Sequence, residues 1–190
     1  MKLLAMDLSL TNAGVCRLQD VRAGQPVWDL ETVRVPETRI AGWRPGTTKA
    51  GPRLNGVERL SWWSSWLVEE IADGADFIVI EAPILHGTGR HSDIGELMGV
   101  IKLCAHQRDA AVRLVAATQI KKWATGSGEA DKRRMIDTAV EAMGGEMTLD
   151  EHQADAYWLA QIGWATWGEG EPDTPSRILL AKTLRGMNGK

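Results

Sequence analysis

At 190 residues, with 44% hydrophobic and 25% charged side chains, the chain suits one compact domain and excludes disordered and fibrous classes. No apolar run is long enough to cross a bilayer, and MKLLAMDLS meets an acid too early for a signal peptide. The net charge of −3 argues against a surface that is basic throughout, although Arg39, Arg44, Lys49 and Arg53 form one basic stretch and Lys121, Lys122, Lys132, Arg133 and Arg134 another. Cys16 and Cys104 sit in apolar stretches without CxxC spacing, which predicts reduced thiols, no disulfide and a cytoplasmic protein.

In chain order, KLLAMDLSL (2–10) and AGVCRL (13–18) are predicted strands joined by the polar turn Thr11-Asn12, and VWDLETVRV (27–35) is a third after AGQP. Residues 36–52, rich in Pro, Gly and Thr, read as a long loop. From Arg53, Leu54, Val57, Leu60, Ser64, Leu67, Val68 and Ile71 recur at helical spacing, and Gly74 ends the pattern. DFIVIEAP (76–83) is a nearly unbroken apolar run, as a strand covered on both faces requires. A Gly-rich loop leads to a helix over 93–109 and a strand over 112–118. KKWATGSGEADK reads as a loop, RRMIDTAVEAM as a helix, and the last clear helix is expected to start at Thr148. Residues 168–190 read as a linker and a short basic tail after a domain spanning 1–167. The alternation of elements predicts an α/β fold.

Three acids stand where a folded chain would normally avoid them. Asp7 interrupts the first strand, Glu81 closes FIVI, and Asp155 lies within the final helix. A charge placed against a core is costly unless a cation or donors compensate it. Three such acids on separate elements suggest convergence on a metal. On the final helix His152 and Asp155, three apart, share a face. Glu151 has a structural explanation, because Thr148 and Glu151 fit the T-x-x-E capping box, and Asp150 suits the positive end of the helix. Oxygen donors with one imidazole favour Mg²⁺ or Mn²⁺ over zinc, and two such ions can bracket a phosphodiester. The glycines of TGSGEADKRRM would let backbone approach a phosphate beside Lys132, a weak signal by itself. His86 and His91 fall in a loop, where exposure is the ordinary outcome. Trp43, between Arg39 and Arg44, suits base stacking or core cover equally.

Taken together, Asp7 followed by Gly14-Val15, Glu81 after FIVI, QIKKWATGSGEADK and HQAD (152–155) resemble the RuvC family of Holliday-junction resolvases, within the ribonuclease H-like superfamily. The resemblance implies a mixed five-stranded sheet, its first three strands an antiparallel meander, flanked by helices. It implies a crossover junction endodeoxyribonuclease that cuts four-way DNA junctions by paired hydrolysis, as a homodimer with 93–109 at its interface. Asp7, Glu81, His152 and Asp155 would hold two Mg²⁺ or Mn²⁺ ions, with Lys132 completing the catalytic set. By that match Lys121 and Lys132 take the positions of basic residues that contact DNA phosphate or assist catalysis, and Lys122, Arg133, Arg134 and Arg44 of the two basic stretches are expected to contact DNA with them. Ala-Pro-Ile-Leu follows Glu81 where some bacterial members carry an aromatic wedge, and 36–52 and the tail have no counterpart. Such departures would suit a divergent, phage-encoded relative.

The rival expectations are the same fold acting on other branched DNA or on RNA–DNA hybrids, and a junction-binding module without catalysis. DLSLTNAG loosely resembles the phosphate turn of actin-like ATPases, but that architecture repeats its sheet in two domains and needs a longer chain.

Overall fold

The computed structural model describes residues 1–9, 11–22, 24–35, 56–72, 74–83 and 90–187. Its elements are β1 (Leu3–Leu8), β2 (Asn12–Arg22), β3 (Gln25–Arg34), α1 (Gly56–Glu70), β4 (Phe77–Glu81), α2 (Arg90–His106), β5 (Ala111–Val115), α3 (Ala117–Thr125), α4 (Lys132–Ala142), α5 (Glu151–Trp167) and α6 (Pro175–Met187). The sheet has five strands in the order β3-β2-β1-β4-β5. Strands β1, β2 and β3 pair antiparallel, whereas β4 and β5 join parallel to β1. This is the expected α/β architecture with its N-terminal meander.

Both faces of the sheet are covered, which explains why its central strands read as unbroken apolar runs. Successive side chains of a strand point to opposite faces. Leu3 and Ala5 of β1 and Val79 of β4 enter the core shared with α3, α4, α5 and α6. Leu4, Met6, Ile78 and Ile80 enter the core shared with α1 and α2. The same parity sends Asp7 and Glu81, each at the C-terminal end of its strand, toward the α5 face. The β1–β4 register, with Met6 opposite Ile80, places them side by side.

Helix α5 lies against the sheet with α3, α4 and α6 around it, so Ala154, Ala156, Leu159, Ala160 and Ile162 are all fully buried. A β-carbon on Gly163 would come within 2.7 Å of Val79 Cγ2 and 2.8 Å of Leu3 Cδ1. One on Gly14, in β2, would come within 1.8 Å of the His152 carbonyl oxygen. Glycine at these two positions lets helix and sheet meet closely.

Several local expectations are corrected. The stripe on α1 is rotated: Trp63, Leu67 and Ile71 are 1% exposed, whereas Val57 is 77% exposed. Burying the large Trp63 ring, which packs edge-on with Trp62 and Trp66, decides which side turns inward. The strand expected over 112–118 stops at Val115, and the following segment is α3 rather than loop. Its buried Ile120, Trp123 and Ala124 recur at helical spacing, and Gly126 ends it in the left-handed region at φ 80°. The stretch 168–190 contains α6, whose Ala181 and Leu184 are 1% exposed in the α5-side core. Arg185 also donates to the Thr166 carbonyl, so that helix is docked. Both cysteines are buried free thiols, and among the described residues no helix is long and apolar enough to cross a membrane.

Candidate active site

Where the C-terminal ends of β1 and β4 meet the first turn of α5, the acids singled out by sequence come together. Helix α5 starts at Glu151, not Thr148, and its cap differs from the one expected. Asp150 accepts from the Gln153 backbone N–H, and Gln153 reaches back to the Asp150 N–H, at 2.8 and 3.0 Å. D-x-x-Q thereby takes the place of T-x-x-E. Thr32 of β3 donates to Asp150 Oδ2 at 2.5 Å, tying the helix start to the sheet.

With Asp150 as cap, Glu151 is released for the site. It pairs with Lys132, and both line a cavity of about 200 Å³ with Glu81, Lys121, Asp155 and Met135. Glu151 is the site residue that sequence reasoning missed. The signal was available, since Glu151 precedes Asp155 by four positions and so shares its helix face.

His152 Nδ1 lies 2.7 Å from Asp7 Oδ2. In a neutral ring, Nδ1 donating to the carboxylate would leave the lone pair on Nε2. Burial raises Asp7 above the ordinary carboxylate range, and the bond to His152 offsets part of that rise. Glu81 is pushed up to about 7, first by burial, then by the charges of Asp7 and Asp155, with Lys121 opposing. Asp155 is pushed up to about 6, again first by burial and then by Asp7, with His152 opposing. Asp7, Glu81 and Asp155 therefore feel one another across three elements.

Among the described residues, no three His, Cys, Asp or Glu side chains form a ready-made ion site. Repulsion within the cluster is relieved by pairing, Asp7 with His152 and Glu151 with Lys132, which turns the carboxylates toward different partners. The donor types still suit a hard divalent cation, because clustered carboxylates lifted by burial and mutual repulsion are stabilised in their charged form by a nearby cation.

The expected phosphate-binding residues are distributed unevenly. Lys121 and Lys132 border the cavity. Lys132 opens α4 beside its cap Asp131, which accepts from the Arg134 N–H at 2.8 Å. Lys122 is exposed on α3. Arg133 is exposed and 3.8 Å from Asp137, and the Arg134 guanidinium donates to the Thr125 carbonyl at 3.4 Å. Arg39, Trp43, Arg44, Lys49, Arg53 and His86 lie outside the described residues, as does the side chain of His91.

No protein-family model matches the chain. A curated relative, the crossover junction endodeoxyribonuclease RuvC of Gloeobacter violaceus, is 33% identical over 91 residues, which are 47% of this chain and 52% of that protein. The chain thus matches about half the length of that relative. A Thermus thermophilus RuvC structure superposes with a TM-score of 0.63 at 16% identity, over 100% of this chain and 97% of that one. T. thermophilus RuvC in complex with a Holliday junction substrate superposes with a TM-score of 0.65 at 17% identity, over 84% and 90% respectively. The fold is the ribonuclease H-like fold of those structures.

Proposed function

We propose that this chain, a divergent relative of the RuvC proteins in sequence and fold, is a metal-dependent, structure-selective endodeoxyribonuclease that resolves four-way DNA junctions by paired phosphodiester hydrolysis. One observation carries the proposal: Asp7, Glu81 and Asp155, from β1, β4 and α5, are electrostatically coupled beside Lys121 and Lys132.

In this mechanism Asp7, Glu81, His152 and Asp155 would hold two Mg²⁺ or Mn²⁺ ions. Such ions, when bound, lower the pKa of an attacking water and stabilise the leaving oxygen. The protein positions the phosphate. Lys121 and Lys132 flank the carboxylates, so a DNA phosphate entering the cavity exchanges Glu151 for itself as the partner of Lys132. Buried α5 holds His152 and Asp155 in place during that exchange. Lys122, Arg133 and Arg134, with Arg44, follow the backbone of the junction arms, supplying affinity without sequence choice.

Two cuts in one junction require two such sites, which a homodimer with α2 at its interface supplies. Residues 1–167 form the nuclease domain, and α6 braces α5 from behind.

The test is cleavage of a synthetic four-way junction with Mg²⁺ or Mn²⁺, alongside flap, fork and RNA–DNA hybrid substrates at matched salt. Asp7→Asn is expected to slow junction cleavage by at least about 10²-fold, the scale on which loss of one preorganised group at a reacting centre is felt. Equal cleavage by the two proteins ends the proposal. Preference for a hybrid or flap redirects it to another substrate, and tight junction binding with no cutting leaves a binding module.

A further inference from the structure

A second and larger cavity, about 850 Å³, lies between the β2–β3 turn, α3, the middle of α5 and the segment leading into α6. Its residues on α5, Tyr157, Gln161, Trp164 and Ala165, lie about 3 to 15 Å along the helix from Asp155, at 1.5 Å of rise per residue, and none of its lining residues borders the cavity of Glu81 and Asp155. It is therefore separate from the nuclease site, and its role does not depend on that proposal.

The chemistry of its walls is selective. Trp28, Trp123 and Trp164 form aromatic sides, and the carboxylates of Glu169, Glu171 and Asp173 stand at alternate positions along one rim. Asp173 pairs with Arg177 at 2.8 Å, whereas among the described residues Glu169 and Glu171 have no ion-pair partner. The Arg177 guanidinium lies 5.4 Å from the Trp123 ring and donates to the Trp123 carbonyl, so a cation is already accommodated against this wall. Lining the same cavity, Tyr157 is 4% exposed and its hydroxyl accepts from Gln161 Nε2 at 3.0 Å. That leaves the Tyr157 proton to be donated and the Gln161 carbonyl to accept, one donor and one acceptor side by side. A peptide group offers the complementary C=O and N–H.

The geometry points to a docking site for a basic segment of a partner polypeptide. An arginine or lysine side chain enters between the tryptophans toward Glu169 and Glu171, while its peptide group pairs with Tyr157 and Gln161. Aromatic walls accept the apolar stem and the delocalised charge, and the rim supplies the counter-charge. A small organic cation would use the rim and the walls but leave the Tyr157–Gln161 pair unanswered. The site lies away from the cavity of Glu81 and Asp155, so an occupant here leaves that cavity open.

Calorimetry on the full chain tests this with the capped peptide Ac-RLLR-NH2, its citrulline counterpart and tetramethylammonium. Saturable binding of the arginine peptide is expected, about tenfold tighter than that of the citrulline peptide. The double variant Glu169→Gln/Glu171→Gln, confined to exposed side chains, is expected to weaken the arginine peptide by a similar factor. Tyr157→Phe should weaken both peptides while leaving tetramethylammonium unaffected. Junction cleavage should be unchanged in all three proteins. Lack of saturation by the arginine peptide overturns the proposal, as does equal binding of the two peptides or indifference to the rim substitutions. Tetramethylammonium binding as tightly as the peptide also overturns it, in favour of a small-cation site.

Discussion

The two faces of the sheet are covered by different kinds of helix. On one side α1 bears on the sheet through a single stripe, and its other side carries Val57 in solvent. On the other side α5 is buried nearly all round, between the sheet and α3, α4 and α6. A helix held from every direction cannot slide or roll, so its one open turn presents fixed side chains. The acids and the histidine of the candidate site are found at that turn and on the strand ends beneath it. The α1–α2 side has its own tryptophan cluster but, among the described residues, contributes none to the lining of the acidic cavity.

Matched deletions in the two cores test whether that difference matters. Leu159, 0% exposed on α5, and Leu67, 1% exposed on α1, are both core leucines. Either change to Ala is expected to cost about 2–5 kcal/mol in denaturant unfolding. After correction for the folded fraction, only Leu159→Ala should slow junction cleavage; equal slowing by both would remove the special role given to α5. Gly14→Ala strikes the contact between β2 and the start of α5, where backbone meets backbone and nothing flexible can yield. Destabilisation at the upper end of about 1–3 kcal/mol is expected, together with loss of cleavage.

A smaller effect separates the faces by pH. Glu81 rises from 4.5 to about 7 and Asp155 from 3.8 to about 6 on folding, both chiefly through burial. The folded state then retains protons that the unfolded chain has released. Their stabilising contribution is complete below the ordinary values and is lost as pH rises through about 6 and 7. The melting temperature of metal-free protein should fall over that window. Mg²⁺ should restore it above pH 7, and Asp155→Asn should flatten the slope. A flat profile in the wild-type protein would count against the coupled carboxylates.

Smallest of all is the effect of Glu151→Gln. Lys132 and Glu151 are exposed, with side chains 75% and 42% accessible, so the ion pair should contribute no more than about 1 kcal/mol. Stability is expected to change little, whereas DNA binding should tighten at low salt because Lys132 no longer has to exchange partners. Weaker binding would instead make Glu151 a contributor to the DNA surface.

Much of this was legible residue by residue. Asp7, Glu81 and Asp155 announced themselves because a carboxylate within an apolar run is costly, and strand parity explains why the first two reach the same face. Helix α3 was obscured by Lys121-Lys122 and by Gly126, which resemble loop punctuation until Ile120, Trp123 and Ala124 are counted at helical spacing. Thr148 and Glu151 met the pattern of one cap, but Asp150 and Gln153 met another. Choosing between them depended on Thr32, which lies on a distant strand.

The sequence by itself determined the alternation of strands and helices, the two-sided burial of β4, and the presence of unusual acids in or at the ends of three elements. These are local matters, written in the spacing of apolar side chains. Only the tertiary structure decided that α6 docks on α5, that Glu151 faces Lys132, and that Asp7 pairs with His152. Charge pairing depends on distances between elements far apart in the chain, and residue spacing along any one element carries no record of those distances.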